Sequence, residues 1–286
     1  MAVTYKATAK NTAWTAGTLA TSSAINVAVG DLCVIAINTI DNTVWCTGLT
    51  DTAGNSYTIR TRISASYETV VFAWCVATIA NANNIFTASF NNATATRKNI
   101  TAAVYTIDVG DIVTLENAGS LTSDWLASPW TTGSAAFTGT DGIGICDVQG
   151  NACTYTNQEI PSGTAATAVA NNANADLLFY RILSSPESET GEVDPSATGS
   201  VAMELLVFKS VAAAGVTLEQ EGFRARNDDG NEAAATWLAD QDTNFTRAKN
   251  LNTRLRMLLN ATGDPPANAY RIECRKQGVG DFKKIN

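Results

Sequence analysis

The segment Asp31–Asn38, "DLCVIAIN", indicates the fold class of this chain. It is a short apolar run rich in β-branched residues, and turn-forming residues bound it, which is typical of a buried strand. Similar segments follow at Thr69–Thr78 ("TVVFAWCVAT"), Asn84–Phe90 ("NIFTASF") and Ile100–Ile107 ("ITAAVYTI"). The separators contain Gly, Asn and Asp, which suit chain reversals. This pattern predicts an all-β protein built as an antiparallel β-sandwich of jelly-roll type.

A second set of strands resembles the first in its spacing. The segments Asp141–Val148 ("DGIGICDV"), Ala175–Leu183 ("ADLLFYRIL") and Ala202–Ser210 ("AMELLVFKS") succeed one another much as the earlier segments do. The first interval is 38 residues in one set and 34 in the other, counted from Asp31 to Thr69 and from Asp141 to Ala175. Residues 1–214 could therefore be one jelly roll or two similar halves.

The charge distribution places a domain boundary near residue 215. Residues 1–214 carry 8 basic and 17 acidic side chains, a net charge of −9, whereas residues 215–286 carry 11 and 10, a net charge of +1. Beyond the boundary, "GFRARN" and "TRLRMLLN" alternate charged with apolar residues, as strands with one dry and one solvated face do. We predict a jelly-roll-like domain over 1–214 and a small Ig-like module over 215–286, with a strand in "NEAAATWLADQD".

Composition argues against several functions. The net charge is −8 and no run of Lys or Arg is present, so binding of nucleic acid or of an anionic membrane is not expected. No stretch of about 18 apolar residues occurs and the first residues lack the apolar core of a signal peptide, so we expect synthesis in the cytoplasm without membrane insertion. Six cysteines without a C-x-x-C pair are expected mainly as small buried hydrophobic residues.

The sequence argues against most catalytic designs. Histidine is absent, which removes Ser-His-Asp and Cys-His nucleophiles, His-ligated zinc and the commonest general base. No phosphate-binding loop or dinucleotide fingerprint occurs either. Paired carboxylates could still make a glycosidase; the candidates are Asp124, Glu159, Glu187, Glu189, Glu192 and Asp194. The last four lie in a stretch predicted as a polar loop, which offers no apolar pocket to raise the pKa of a catalytic acid. We therefore expect that the chain is not an enzyme and that it binds no cofactor.

The tryptophans are the candidate contact residues. Trp45, Trp125 and Trp130 fall near predicted loops or strand ends, where an exposed indole could stack on a sugar ring or fill a pocket of a partner protein. Packing in the core is the alternative for each. The segment "DWLASPW" contains two of them in a predicted linker, so we expect burial between halves of the large domain or at a subunit contact.

The acidic stretch Asn227–Gly230, "NDDG", raises the question of a metal site. Calcium loops place oxygen ligands at alternating positions, whereas Asp228 and Asp229 are adjacent and their side chains diverge. Asp-Gly after an alternating segment is instead a strong hairpin signal, because glycine adopts a positive φ angle without strain. We predict a turn here and no metal site.

The same region resembles a known family. The segments "QEGFRARNDDGNEAAATWLADQDTNFTR", "NTRLRMLLNATGDPP" and "AYRIECRKQGVGDFKKI" look like a small C-terminal module of predicted tail and virion proteins of tailed bacteriophages. The match is ordered over most of 219–286. The large domain resembles, more loosely, a β-sandwich of phage and bacterial surface proteins.

The resemblance implies a structural component of a virion, and it carries over no catalytic residue. We therefore expect a capsid-decorating or tail-associated protein that contacts other virion proteins, such as the major capsid or tail proteins, and forms a homo-oligomer. The alternative is a carbohydrate-binding module that adheres to a host-surface glycan through Trp125, Trp130 or Trp45.

Overall fold

The structure, a computed structural model, describes residues 3–15, 17–94, 96–108, 111–150, 154–161, 163–172, 176–212, 217–229, 234, 236–262, 273–276 and 279–284. The chain divides into two compact units, Met1–Ala213 and Ala214–Asn286. All regular elements in the described residues are β-strands, and every pairing between them is antiparallel, so the predicted all-β antiparallel class is confirmed. The described residues contain no helix that is long and apolar enough to cross a membrane.

The first half of the large unit contains eleven described strands. They are β1 (Val3–Thr15), β2 (Leu19–Thr21), β3 (Ile25–Val27), β4 (Leu32–Thr39), β5 (Cys46–Asp51), β6 (Thr58–Ile59), β7 (Ile63–Ser64), β8 (Thr69–Val76), β9 (Asn81–Asn84), β10 (Phe86–Phe90) and β11 (Thr96–Ile107). A large sheet has the order β1-β11-β4-β8-β6, with β7 also paired to β8. The smaller sheets are β2-β10-β5 and β3-β9.

The second half contains ten described strands. They are β12 (Asp111–Leu126), β13 (Trp130–Thr131), β14 (Ala135–Phe137), β15 (Gly142–Gly150), β16 (Tyr155–Glu159), β17 (Thr167–Asn172), β18 (Asp176–Leu183), β19 (Glu187–Glu189), β20 (Glu192–Pro195) and β21 (Gly199–Ala212). Its large sheet has the order β12-β21-β15-β18-β17. The smaller sheets are β13-β20-β16 and β14-β19.

The two halves share one strand order. In each large sheet the first long strand pairs with the last, the last with the second, and the second with the third. Between these strands the chain crosses to the small sheets and back, so both halves alternate between two layers as a jelly roll does. The large unit is thus two jelly-roll-like sandwiches in tandem.

The large sheets pack against each other through their outer faces. Alternate residues of β4 divide between two cores: Cys33, Ile35 and Ile37 face the small sheet of their own half. Leu32 and Val34 instead join a cluster that also contains Ile143, Ile145, Leu178, Leu206 and Phe208 of the second half. The rings of Trp74 and Phe208 meet edge to face across this interface, with 5.8 Å between centroids. Strands with two buried faces read as continuous apolar runs, which explains "DLCVIAIN".

The cysteines for which burial is described are core residues. Cys33, Cys46, Cys75 and Cys146 are buried free thiols, as predicted. Cys33 of β4 lies directly opposite Cys75 of β8. Cys153 and the side chain of Cys274 lie outside the described part of the chain.

The second unit contains four described strands: β22 (Thr217–Asn227), β23 (Thr253–Thr262), β24 (Glu273–Lys276) and β25 (Val279–Lys284). They form two antiparallel pairs, β22-β23 and β24-β25. The strand predicted in "NEAAATWLADQD" does not form over its described residues, where Trp237 makes only an isolated bridge to Arg226. The chain instead bends and turns over residues 238–242, with Asp242 N–H bonded to the carbonyl of Phe223.

Candidate functional site

A bulge at the end of β12 presents the most exposed aromatic side chain among those that the structure describes. The register of β12 on β21 shifts between Ser123 and Leu126. Asp124 and Trp125 therefore lie opposite Ser200 alone, as in a β-bulge, which commonly re-aims side chains. The indole of Trp125 is 81% exposed.

Asp124 connects the second half to the first. Its Oδ1 accepts a 2.8 Å hydrogen bond from the backbone N–H of Ser66, in the turn between β7 and β8. Hydrogen bonds from the hydroxyl and the backbone N–H of Ser66 lower the pKa of Asp124, so the carboxyl is ionised at neutral pH. The next residue after Ser66 is Tyr67, which is 61% exposed. Trp125 and Tyr67 are both exposed, and they are the next residues in the chain after Asp124 and Ser66, which form this bond.

An open groove of about 410 Å³ lies at the same place, which we call the seam groove. Its lining comes from both halves: Asn42 and residues 64–66 from the first, and residues 122–124 from the second. All but Ala65 carry a hydroxyl, amide or carboxylate group. The Nδ2 group of Asn42 donates a 3.4 Å hydrogen bond to the carbonyl of Ala65. The seam groove is therefore polar and formed only when the halves are together.

Arg62 connects Trp45 to a residue that lines the seam groove. The guanidinium of Arg62 stacks 4.2 Å above the indole of Trp45. Its Nη1 donates a 3.2 Å hydrogen bond to the carbonyl of Asn42, which lines the groove. Such cation–π pairs hold both side chains in place. Trp45 itself is partly buried, so less of its ring is open to a ligand than that of Trp125.

Trp130 belongs to the core of the second sandwich. It is fully buried, its Nε1 donates to the carbonyl of Leu126 at 3.0 Å, and its ring meets that of Tyr155 edge to face. The prediction that "DWLASPW" is a linker is wrong: its ends lie in β12 and β13, both within the second half. Trp125 and Trp130 differ because Trp125 lies on the bulge of β12, whereas Trp130 lies on β13 of the small sheet and packs into the core of the second sandwich.

The structure brings some of the carboxylates considered for a glycosidase close together. Glu159 and Glu192 are cross-strand partners on β16 and β20, and Arg181 contacts both Glu187 and Glu189. Asp124 lines the seam groove. Glu159 accepts from the backbone of Gly163, and Glu192 from the hydroxyl of Thr131. Asp194 accepts from Ser128 and from Asn157, each at 2.7 Å, and these bonds lower its pKa. Each of these groups has a local partner that explains its position.

The predicted polar loop is instead part of two strands, β19 and β20. Alternation along β19 buries Glu189 completely while Glu187 stays partly exposed. Burial, and next the charge of Glu187, raises the pKa of Glu189 to about 7, although Arg181 opposes the shift. The expectation that this stretch offers no environment able to raise a carboxyl pKa is wrong for Glu189. The reason is that strand pairing with β14 turns the side chain inward.

Between the two large sheets, one end of the shared interface is polar. Asp147 and Glu204 are direct cross-strand neighbours on β15 and β21, and both are fully buried. Among the described residues, neither carboxylate oxygen of Asp147 has a hydrogen-bond partner within bonding distance, although the Asn38 amide lies near enough to favour its ionised form. Glu204 pairs with the Nε of Arg60 at 2.6 Å, and the Nδ2 of Asn38 donates to Asp176 at 2.6 Å. These contacts join side chains from opposite halves.

Burial sets the protonation of this polar end. Desolvation raises the pKa of Asp147 well above its ordinary value, and the neighbouring charges of Asp176 and Glu204 add to the shift. Desolvation likewise raises the pKa of Glu204, against the opposing charge of Arg60. Glu68, which accepts a hydrogen bond from Ser200 across the same interface, also has a pKa raised by burial.

In the second unit, the acidic stretch is occupied by internal contacts. Asp228 accepts from the Nε of Arg254 at 2.6 Å, and Asp229 accepts from the hydroxyl of Thr236 at 2.6 Å. Asn227 N–H bonds the carbonyl of Thr236, so the chain does reverse here. Gly230, the second residue of the predicted Asp-Gly turn, lies outside the described residues. The described residues contain no group of three or more acidic, Cys or His side chains that could hold a metal ion.

In the second unit, the guanidinium groups of three arginines lie close to the indole of Trp237, which is 37% exposed. Arg224, Arg226 and Arg256 lie 4.2, 4.7 and 5.7 Å from the ring of Trp237. A cavity of about 240 Å³ adjoins this stack. Trp237 thus packs β22 and β23 together by cation–π contacts in place of a larger apolar core.

Sequence reasoning missed Tyr67, Ser66 and the buried carboxylates. A signal for the carboxylates exists, because Asp147 and Glu204 each interrupt a run of apolar residues inside a predicted strand. No comparable signal marks Ser66 or Tyr67, whose role depends on which distant residues face them.

Comparison with known proteins finds no match. No family model matches the chain, and no curated protein and no solved structure is significantly similar to it.

Proposed function

We propose that this chain is a non-enzymatic structural protein of a tailed-phage virion, which assembles as a homo-oligomer through its second unit. The resemblance of residues 219–286 to a module of phage tail and virion proteins supports the virion assignment. The tandem sandwiches would form the outward body of the protein, and the second unit would make the contacts between copies.

The carrying observation is a set of exposed apolar side chains on β23 and in the segment that precedes it. Phe245, Leu251, Leu255, Leu258 and Leu259 are each between 37 and 55% exposed. A two-stranded ribbon is marginal alone and needs an apolar face to pack on something. Exposed clusters of this kind mark protein contact surfaces.

Charge favours a second copy as the occupant of this surface. The large domain carries a net charge of −9, so two copies repel each other through it, whereas residues 215–286 carry only +1. A self-contact through the nearly neutral unit avoids that repulsion. Leu255 and Leu259 are four residues apart on β23. Because side chains alternate between the two faces of a strand, both lie on the same face of the ribbon.

Sedimentation analysis of the full chain tests this assembly. Wild type should sediment as an oligomer, and the double variant Leu255→Asp/Leu259→Asp should sediment as a folded monomer. Leu19→Asp is the matched control, since Leu19 is an equally exposed leucine on the large unit, at 57%, and the change should leave the oligomer intact. A wild-type chain that stays monomeric at about 100 μM, where weak protein contacts are populated, would rule the proposed assembly out.

A further inference from the structure

We infer that the seam groove is a binding site for a neutral oligosaccharide, held between Trp125 of the second half and Tyr67 of the first. This inference goes beyond the proposed function, because the groove lies in the large unit and the assembly surface in the second.

Two exposed aromatic residues lie next to the seam groove in the chain. Trp125 and Tyr67 are the two most exposed aromatic side chains among those described, at 81% and 61%. Each directly follows in the chain a residue that lines the groove, Asp124 or Ser66, so the two rings lie next to the groove and would contact a ligand that extends beyond its lining. Aromatic side chains with one apolar face and a polar surrounding suit ligands that are themselves amphipathic. A sugar ring has an apolar face and an edge of hydroxyls.

The groove lining consists mostly of uncharged polar residues. Hydroxyls of Ser64, Ser66, Thr122 and Ser123 and the amide of Asn42 line it, and these groups both donate and accept hydrogen bonds. Pockets fix the orientation of a ligand through a few such groups. The volume of about 410 Å³ is of the size that holds small ligands.

The charges at and around the groove favour uncharged saccharides over anionic ones. Asp124 is ionised, and its oxygens line the groove. The guanidinium of Arg62 is held over Trp45 and against the carbonyl of Asn42. The ionised Asp124 and the net charge of −9 on residues 1–214 oppose the binding of anionic sugars, and the single Arg62 cation offsets this only in part.

Saturation-transfer NMR of the full chain with hexasaccharides of glucose, galactose and mannose tests the inference. At least one probe should bind with a Kd of about 1 mM or tighter. Trp125→Ala and Tyr67→Ala should each weaken that probe about tenfold or more. Phe245→Ala, which removes an exposed aromatic ring from the second unit, should leave the affinity unchanged.

Three outcomes would overturn the inference. They are the absence of saturable binding across the neutral panel, binding that survives both groove substitutions, and binding of oligogalacturonate in preference to every neutral probe. The monomeric Leu255→Asp/Leu259→Asp variant should bind the sugar as wild type does. A failure of sugar binding therefore leaves the assembly proposal standing, and a failure of assembly leaves the sugar site standing.

Discussion

The two halves of the large unit meet through matching sheets that carry different chemistry. At the polar end of the interface, the first half contributes Asn38, Arg60 and one carboxylate, Glu68. The second half contributes three carboxylates, Asp147, Asp176 and Glu204. At the other end both halves contribute apolar side chains. One strand order therefore supports two complementary surfaces, because strand alternation leaves the outer face free to vary while the inner face fills each sandwich.

The cores inside each half are distinct from the contacts between the halves. Each half has its own buried cluster between its large and small sheets, and a third cluster is shared. The shared cluster makes the halves one cooperative body, since neither large sheet can expose that face cheaply. The seam groove is a product of this association, as its lining comes from both halves.

The largest loss of stability is expected when a large side chain in the shared core is truncated. Phe208→Ala removes a fully buried ring that contacts Trp74 of the other half, and should cost about 3–5 kcal/mol. Calorimetry should show one transition for the large unit, lowered as a whole. Phe86→Ala, inside the first sandwich, is the matched control and should lower the same single transition. Separate transitions, with Phe208→Ala moving only one, would show that the halves fold independently.

A smaller loss is expected from breaking the ion pair across the interface. Arg60→Met leaves Glu204 buried without its partner and should cost about 2–3 kcal/mol, less than for a fully buried pair because Arg60 is 30% exposed. Denaturant unfolding at pH 7 measures the cost. Adding Glu204→Gln should recover most of it, because the buried charge is then gone. No recovery would mean that Arg60 acts through packing and not through the charge of Glu204.

A gain in stability is expected from neutralising Asp147. A carboxyl whose pKa is raised by folding holds a proton that the unfolded chain releases above about pH 4. Its favourable contribution is thus complete below the unfolded pKa and is lost as the pH rises through the folded pKa. Asp147→Asn should therefore raise the free energy of unfolding by about 1–3 kcal/mol at pH 8, with a difference that shrinks towards pH 5.

Unfolding of wild type and Asp147→Asn across about pH 2–8 measures this dependence. Asp124→Asn is the control with the opposite sign, because the pKa of Asp124 is lowered in the folded chain. Its stabilising contribution is present above the unfolded pKa and is lost as the pH falls through the folded pKa. A pH-independent effect of Asp147→Asn would contradict the account of the polar end.

The smallest expected effect is on the stability of the groove variants. Trp125→Ala and Tyr67→Ala remove exposed rings and should change the free energy of unfolding by less than about 0.5 kcal/mol. Thermal unfolding measures both. A loss above about 2 kcal/mol for either would mean that the ring packs on the protein and is not free for a ligand.

Much of the fold follows from the sequence, and the limits have physical causes. The continuous apolar runs of β4, β8, β15 and β21 could be recognised as buried strands. Their burial on both faces is also implied by the absence of alternation, although it does not identify the facing sheet. The edge strand β12 was not predicted, because its exposed side makes it read as a polar segment with scattered apolar residues.

The site was predictable only in part. Trp45 and Trp125 could be proposed from the chemistry of tryptophan near strand ends. Trp130 could not be distinguished from them, because the bulge that exposes Trp125 depends on the pairing of β12 with β21, about 75 residues away in the chain. Tyr67 and Ser66 become part of the site only through packing of the two halves, which local patterns do not encode.

Immunogold electron microscopy of the phage particles that carry this chain tests the proposed function most directly. An antibody raised against the full chain should label intact virions at regular positions on the head or the tail. Label over the head would specify a decorating protein, and label on the tail would specify a fibre or tail component. Particles without label, when the antibody binds the free chain and a known virion protein is labelled on the same grids, would contradict the virion proposal.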